Sequence, residues 1–186
     1  MGKNKLLLPV KGKAMLHWVL DALVATPLSP IFVVVGWEKE LIQSRCSQYG
    51  DVISVVENPF YRKGRSSSIQ AGLAVLPPDA RGVLIMPGDV PFIAPSLIKT
   101  LISVFWKKHA IIFPLVDSKK GHPIIFPSEA FFLLWELKGE DTLNDYLLHH
   151  PETTHPVPWD EEGPIIDIDT PEDYRNYHSV SHPKIQ

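Results

Sequence analysis

The stretch Val83-Leu84-Ile85-Met86-Pro87-Gly88-Asp89 constrains this chain more than any other. Its first four residues are apolar and lie between Gly82 and Pro87. That is the pattern of a central strand covered on both faces. Pro87-Gly88 then makes a tight turn and leaves one carboxylate, Asp89, at the strand's C-terminal end. Open α/β sheets collect their ligand chemistry at such ends. A solvated turn aspartate is the competing reading, since Gly-Asp is common in turns. Position alone does not separate the two.

The rest of the chain continues the alternation of strand and helix. Leu16, Val19, Leu20 and Leu23 recur at helical spacing and predict a helix over 14–25. Ile31 to Val35 is a β-branched run stopped by Gly36. A polar helix over 38–49, a strand over 52–56 and a turn at Asn58-Pro59 follow. Ser66 to Val75 reads as a helix. After Pro95, Leu97, Ile98, Leu101, Ile102 and Phe105 mark another. A strand is expected over 110–114, and Pro123 to Phe126 as a short strand pairing back. Helices are expected over 128–137 and 141–149, the second capped by Asp141. A last short strand covers Ile165 to Ile168, and Pro171 opens a final helix. The order predicts one domain over 1–178, a three-layer α/β/α Rossmann-like fold with a mostly parallel sheet. The tail 179–186 has little core-forming content and is expected to be disordered.

The opening departs from this scheme. Met1-Gly2-Lys3-Asn4-Lys5 reads as a loop, and a helix follows. A doubly wound sheet ordinarily starts with a central strand leading into a phosphate-binding turn. The first strand is therefore expected to be absent.

Composition narrows the function classes. Hydrophobic residues make up 45% of the 186, enough for a sizeable core. A formal net charge of −3 gives no electrostatic case for a nucleic acid or a membrane surface. No apolar run approaches the length that spans a bilayer, and no signal peptide opens the chain. One cysteine, Cys46, excludes an intrachain disulfide and makes the cytoplasm the default location. Nothing around Cys46 activates a thiol.

Further candidates for chemistry sit at other strand ends. In Asp167-Ile168-Asp169-Thr170-Pro171-Glu172-Asp173, the two aspartates Asp167 and Asp169 point the same way on an extended segment. Convergent carboxylates hold Mg²⁺, whereas an acid-rich helix start is the competing explanation. Gly64-Arg65-Ser66-Ser67-Ser68 puts a glycine and three hydroxyls at a helix start, a donor set for an anion or a base edge. Arg65 is a phosphate grip or a surface arginine. Among Lys3, Lys5, Lys11 and Lys13, Lys5 is best placed to face phosphates. His122, in Gly121-His122-Pro123, is a base, a substrate contact or a plain turn residue. No dinucleotide fingerprint, Walker A loop or Ser/His/Asp order is present.

Five segments in order carry a resemblance: Lys5-Leu-Leu-Leu-Pro9, Asn58-Pro-Phe-Tyr61 with Gly64 to Leu73, Gly88-Asp-Val-Pro91, Gly121-His-Pro123 and Asp167 to Asp173. Together they resemble the MobA-like nucleotidyltransferases, and within them the molybdenum cofactor cytidylyltransferases. The resemblance implies a fold of the nucleotide-diphospho-sugar transferase type. It implies Mg²⁺-dependent transfer of CMP from CTP to molybdopterin cofactor, with release of pyrophosphate, serving molybdenum hydroxylases. By it, Asp89 is a metal ligand, with Asp167 or Asp169 as the second. Lys5 neutralises triphosphate charge and works with Asp89 in catalysis. Gly64, Ser66, Ser67, Ser68 and Gly88 line the nucleotide side, and His122 lines the pterin side. The family's opening strand and glycine loop are reduced here to Met1-Gly2, as a late start or a deletion would leave them. A non-catalytic maturation partner that binds cofactor or nucleotide is the alternative, as is a nucleotidyltransferase for another small phosphate.

Overall fold

The computed structural model describes residues 4–139 and 153–178. The expected helix 141–149 with its Asp141 cap, the tail 179–186 and Met1-Gly2-Lys3 lie outside the described residues.

The chain opens on a 3₁₀ turn, Lys5–Leu7, and a small antiparallel hairpin, β1 (Pro9–Val10) and β2 (Lys13–Ala14). Helix α1 (Met15–Val24) follows. Strand β3 (Ile31–Val35) pairs in parallel with β4 (Ile53–Glu57), and α2 (Lys39–Cys46) connects them. Helix α3 (Arg65–Leu73) leads to β5 (Gly82–Ile85), and α4 (Pro95–Lys108) leads to β6 (Ile111–Val116). Pro95 sits at the start of α4, where its missing N–H costs nothing. Asp117 and Ser118, both at positive φ, turn the chain tightly into β7 (Lys119–Lys120). Then come β8 (Ile124–Pro127), α5 (Phe131–Glu136), β9 (Thr154–Pro158) and α6 (Pro171–His178).

The architecture is mixed α/β and Rossmann-like, with most strands running one way. β8 runs against its neighbours β5 and β6, and β9 lies parallel along β6. Two apolar layers sandwich the strands, set by the period-2 alternation of side chains. Ile112 and Ile125 face the layer of α1 and α4, with Leu20, Leu97, Ile98 and Leu101. Ile111, Phe113, Ile124 and Phe126 face the other way, onto Leu73 of α3 and Leu134 of α5. Cys46 is buried in the first layer, and burial pushes its thiol up, away from a reactive thiolate.

The sheet comes in two pieces. Among the described residues, β3 bonds only to β4, and β5 bonds only to β8. Neither strand bonds to the other, which agrees with the expected absence of a first strand. Both faces of the 83–86 stretch carry apolar packing, Leu84 on the layer of α1 and α4 and Val83 and Ile85 on the other. β5 is nevertheless half-buried at every residue, whereas β8 is fully buried, and among the described residues one edge of β5 has no strand beside it.

Two further expectations change. Residues 165–168 form no strand: Gly163–Ile165 is a 3₁₀ turn, and an extended, unpaired segment follows. β9 was not expected at all. Pro156 and Pro158 argue against a strand, but among the described residues β9 bonds to β6 alone, and prolines are tolerated at a sheet edge.

Candidate functional site

Three segments converge at the C-terminal ends of the strands. The first is the turn after β5. Gly88 there lies against Leu6, whose Cδ2 would stand 3.1 Å from a Cβ at that position. That approach seats the Lys5–Leu7 turn beside Asp89. The second is the segment from Ile166 to Asp169. Ile166 and Ile168 are buried with Val10 and Met15, so alternation turns Asp167 and Asp169 outward. The Ile168 N–H donates to the Asp89 carbonyl at 3.1 Å, which clasps this segment to the turn. The third is Lys5, whose ammonium donates to Asp89 Oδ2 at 2.6 Å and to Asp169 Oδ1.

Asp89, Asp167 and Asp169 thus offer oxygens that all lie within 4.8 Å of one another. Among the described residues they are the one group of three possible metal ligands. Capping of α6 does not compete for Asp169. Thr170 is the cap: its N–H and Oγ1 donate to Asp173 Oδ2, and the Asp173 N–H donates back to Thr170 Oγ1.

The charges of the site act on one another. Burial, then the neighbouring Asp89 and Asp169 charges, push the Asp167 carboxyl up to about 6. The Lys5 hydrogen bond holds Asp169 below the ordinary carboxylate range. Burial alone would weaken the Lys5 ammonium, but its hydrogen bonds to Asp169 and Asp89 outweigh that and raise it. A carboxylate raised in the fold is a cost at neutral pH. The cost is absent below the unfolded value near 4 and fully present above about 6. Asp167→Asn is therefore expected to stabilise the metal-free protein at pH 7 to 8. Asp167 is solvent-exposed, so screening discounts the gain to on the order of 1 kcal/mol, about 2–4 °C in Tm. The same change should weaken divalent-cation binding. Thermal melts with and without Mn²⁺ check both, and a lower metal-free Tm would contradict the crowding argument.

The serine segment is tied into the fold more tightly than its sequence suggests. Ser66 is buried, and its Oγ–H and N–H both donate to the Gly139 carbonyl. Ser67 Oγ donates to the carbonyls of Phe60 and Gly64. Buried Asn58 donates through Nδ2 to Ser67 and Ser68 Oγ and accepts from the Phe60 N–H. Ser68 Oγ accepts from Asn58 and, among the described residues, has no acceptor for its own hydrogen. Gly64, at φ +105, admits residue 139: a Cβ there would fall 2.3 Å from the Gly139 carbonyl oxygen.

His122 precedes a cis proline, and its N–H donates to the Pro164 carbonyl at 2.8 Å. Its Nδ1 is buried with no hydrogen-bond partner. Burial lowers its pKa to about 4, against the pull of Asp89 and with the push of Arg65, so it is neutral at pH 7. Arg65 also lowers the Asp169 carboxyl, so its charge is felt on both sides of the site. Two other lysines of the N-terminal cluster are engaged elsewhere: Lys13 pairs with Asp21, and Lys11 lies over the Phe92 ring at 4.7 Å. Sequence reasoning gave Asn58 no site role, although it stood in the Asn58-Pro59 turn and in the resemblance segment Asn58 to Tyr61. It left Arg65 open.

A model of the MobA-like NTP transferase domain matches residues 1–154. The chain belongs to this family. A probable molybdenum cofactor guanylyltransferase of Natranaerobius thermophilus is 31% identical over 155 residues, 80% of this chain and 66% of that protein. A 2-C-methyl-D-erythritol 4-phosphate cytidylyltransferase of Prochlorococcus marinus is 36% identical over 86 residues, 46% of this chain. This MobA-like chain spans 38% of that cytidylyltransferase and 27% of the bifunctional protein GlmU of Marinobacter nauticus. Among solved structures, Rv0371c of Mycobacterium tuberculosis superposes with a TM-score of 0.82 at 27% identity, over 97% of this chain and 92% of that one. Rv0371c has also been solved in complex with manganese, where the TM-score is 0.80 at 26% identity, over 95% of this chain and 92% of that one. No helix among the described residues is long and apolar enough to cross a membrane.

Proposed function

We propose that the chain transfers CMP from CTP to the phosphate of molybdopterin cofactor and releases pyrophosphate, supplying molybdenum hydroxylases. One observation carries this reading: Asp89, Asp167 and Asp169 converge with the Lys5 ammonium at the strand ends. Three carboxylates suit a hard divalent cation such as Mg²⁺ that keeps waters and phosphate oxygens in its shell. The donor set fits: all three are oxygens, and an ammonium already rests between two of them. The manganese complex of Rv0371c supports the same class of ion. Bound there, the ion would neutralise charge on the α-phosphate and on the departing pyrophosphate.

The chain's own residues supply the rest. An oxygen of the acceptor phosphate forms a bond to the α-phosphorus, and the bond to the β-phosphate oxygen breaks. A phosphate monoester has a second pKa of about 6, so it is ionised without a strong base. A neutral His122 agrees with that, and serves as a hydrogen-bonding contact on the acceptor side. Lys5 turns from the carboxylates to the triphosphate, where a flexible ammonium acts as a mobile point charge. Ser68 and Arg65, at the start of α3, face the nucleotide.

GTP is the second reading for the nucleotide, favoured by the guanylyltransferase relative. The test incubates the protein with molybdopterin cofactor, Mg²⁺ or Mn²⁺, and CTP or GTP, and follows pyrophosphate and dinucleotide. The expected result is turnover at least tenfold faster with CTP and none with EDTA. CTP binding without pyrophosphate release would instead assign a non-catalytic maturation partner. Turnover with a different phosphate acceptor alone would reject molybdopterin.

A further inference from the structure

A third apolar cluster lies behind the carboxylates. Val10 and Met15 of the N-terminal arm are buried in it with Ile166 and Ile168. Phe92, Tyr174 and Tyr177 pack against them. The cluster therefore joins three pieces of chain: the arm that carries Lys5, the segment that carries Asp167 and Asp169, and α6.

A side-chain hydrogen bond ties α6 to the arm. Tyr174 is half-buried, and its hydroxyl donates to the Pro9 carbonyl at 2.8 Å. Tyr174 stands in the first turn of α6, where its N–H donates to the Thr170 carbonyl at 3.0 Å. Thr170 and Asp173 cap each other in that turn, and Asp169 directly precedes the cap. One helical turn thus carries both Asp169 and the Tyr174 ring.

The other end of the bond leads to Lys5, four residues before Pro9. The chain between them is closed on itself. The Leu7 N–H donates to the Asn4 carbonyl at 3.1 Å, and the Leu8 N–H to the Lys5 carbonyl at 3.0 Å. The Leu8 carbonyl accepts from the Met15 N–H at 3.0 Å. Leu6 rests against Gly88, next to Asp89. The arm is therefore held at two points, at Leu6 by the turn after β5 and at Pro9 by α6. Held at one point, a short arm pivots. Held at two, it fixes the origin of a lysine stem that is itself flexible.

We propose that Tyr174 is a positioning residue for Lys5. Its bond to the Pro9 carbonyl sets the backbone from which the ammonium reaches Asp89 and Asp169 and, with nucleotide bound, the triphosphate. The reach to the triphosphate rests on the nucleotidyl-transfer reading of the site. The reach to the carboxylates does not.

The test is titration calorimetry with Mn²⁺ on the full chain, comparing the native protein, Tyr174→Phe, Lys5→Met and the double variant. Phenylalanine keeps the ring in the apolar cluster and removes only the hydroxyl. The Lys5 ammonium rests on the oxygens that a cation would take, so a loosened lysine competes less for them. Tyr174→Phe is expected to tighten Mn²⁺ binding about threefold where Lys5 is present, and to change nothing in Lys5→Met. Tyr177→Phe is the control on the same helix. It removes a hydroxyl with no hydrogen-bond partner among the described residues, and is expected to leave Mn²⁺ binding as it was. Weaker Mn²⁺ binding with and without Lys5 would mean that Tyr174 acts through Asp169, and would overturn the proposal. No change in either background would also overturn it, as would an equal effect of Tyr177→Phe. Calorimetry needs no turnover, so this test is judged apart from the reaction.

Discussion

Asp89→Ala is expected to reduce nucleotidyl transfer by about 10³-fold or more while leaving the fold intact. The loss is large because the carboxylate belongs to the trio that would hold the cation against the triphosphate. The fold survives because the change leaves the backbone clasp in place: the Asp89 carbonyl still accepts from the Ile168 N–H. Lys5 also keeps Asp169 as a partner, so no ammonium is stranded. Pyrophosphate release and a thermal melt, on the same preparation, check the two halves of this statement. Full activity in Asp89→Ala would remove Asp89 from the metal site.

Lys5→Met separates the role of a charge on the triphosphate from that of an ammonium resting on the carboxylates. Transfer is expected to fall about 100-fold through loss of a charge on the triphosphate. Divalent-cation affinity is expected to rise, because the ammonium that rests on Asp89 and Asp169 competes for the same oxygens. Titration calorimetry with Mn²⁺ reads the second effect without any turnover. Weaker Mn²⁺ binding in Lys5→Met would mean that the lysine organises the carboxylates rather than competing for them.

Much of the fold was legible because it depends on local periodicity. The β-branched run Ile31 to Val35 and the helical spacing of Leu97, Ile98, Leu101 and Phe105 each declare their structure within one element. Asp167 and Asp169 were legible as a pair for the same reason, since strand-like alternation needs only the two isoleucines beside them. What was hidden depends on partners distant in sequence. Pro156 and Pro158 looked like strand breakers, and only the edge position beside β6 makes them acceptable. The triple serine looked like an open donor set, but Gly139 and Phe60 take up the hydrogens of Ser66 and Ser67. Lys5 reaches carboxylates 84 and 164 positions away, and no local pattern encodes that. Its place before the apolar Leu6-Leu7-Leu8 run singled it out for phosphates, not for these carboxylates.

The bond from the Ile168 N–H to the Asp89 carbonyl has a consequence for how this site can vary. It joins two main chains, so the identity of neither side chain is written into it. The two acid-bearing arms are registered by a feature that nearly every residue type provides. Apolar exchanges at Ile166 or Ile168 alter packing and leave the register of the carboxylates alone. The serine segment at the start of α3, in contrast, is held by side-chain bonds such as those of Asn58, and each exchange there rewrites a contact. A lineage built this way is free to change the serine segment while the geometry of the three carboxylates stands still.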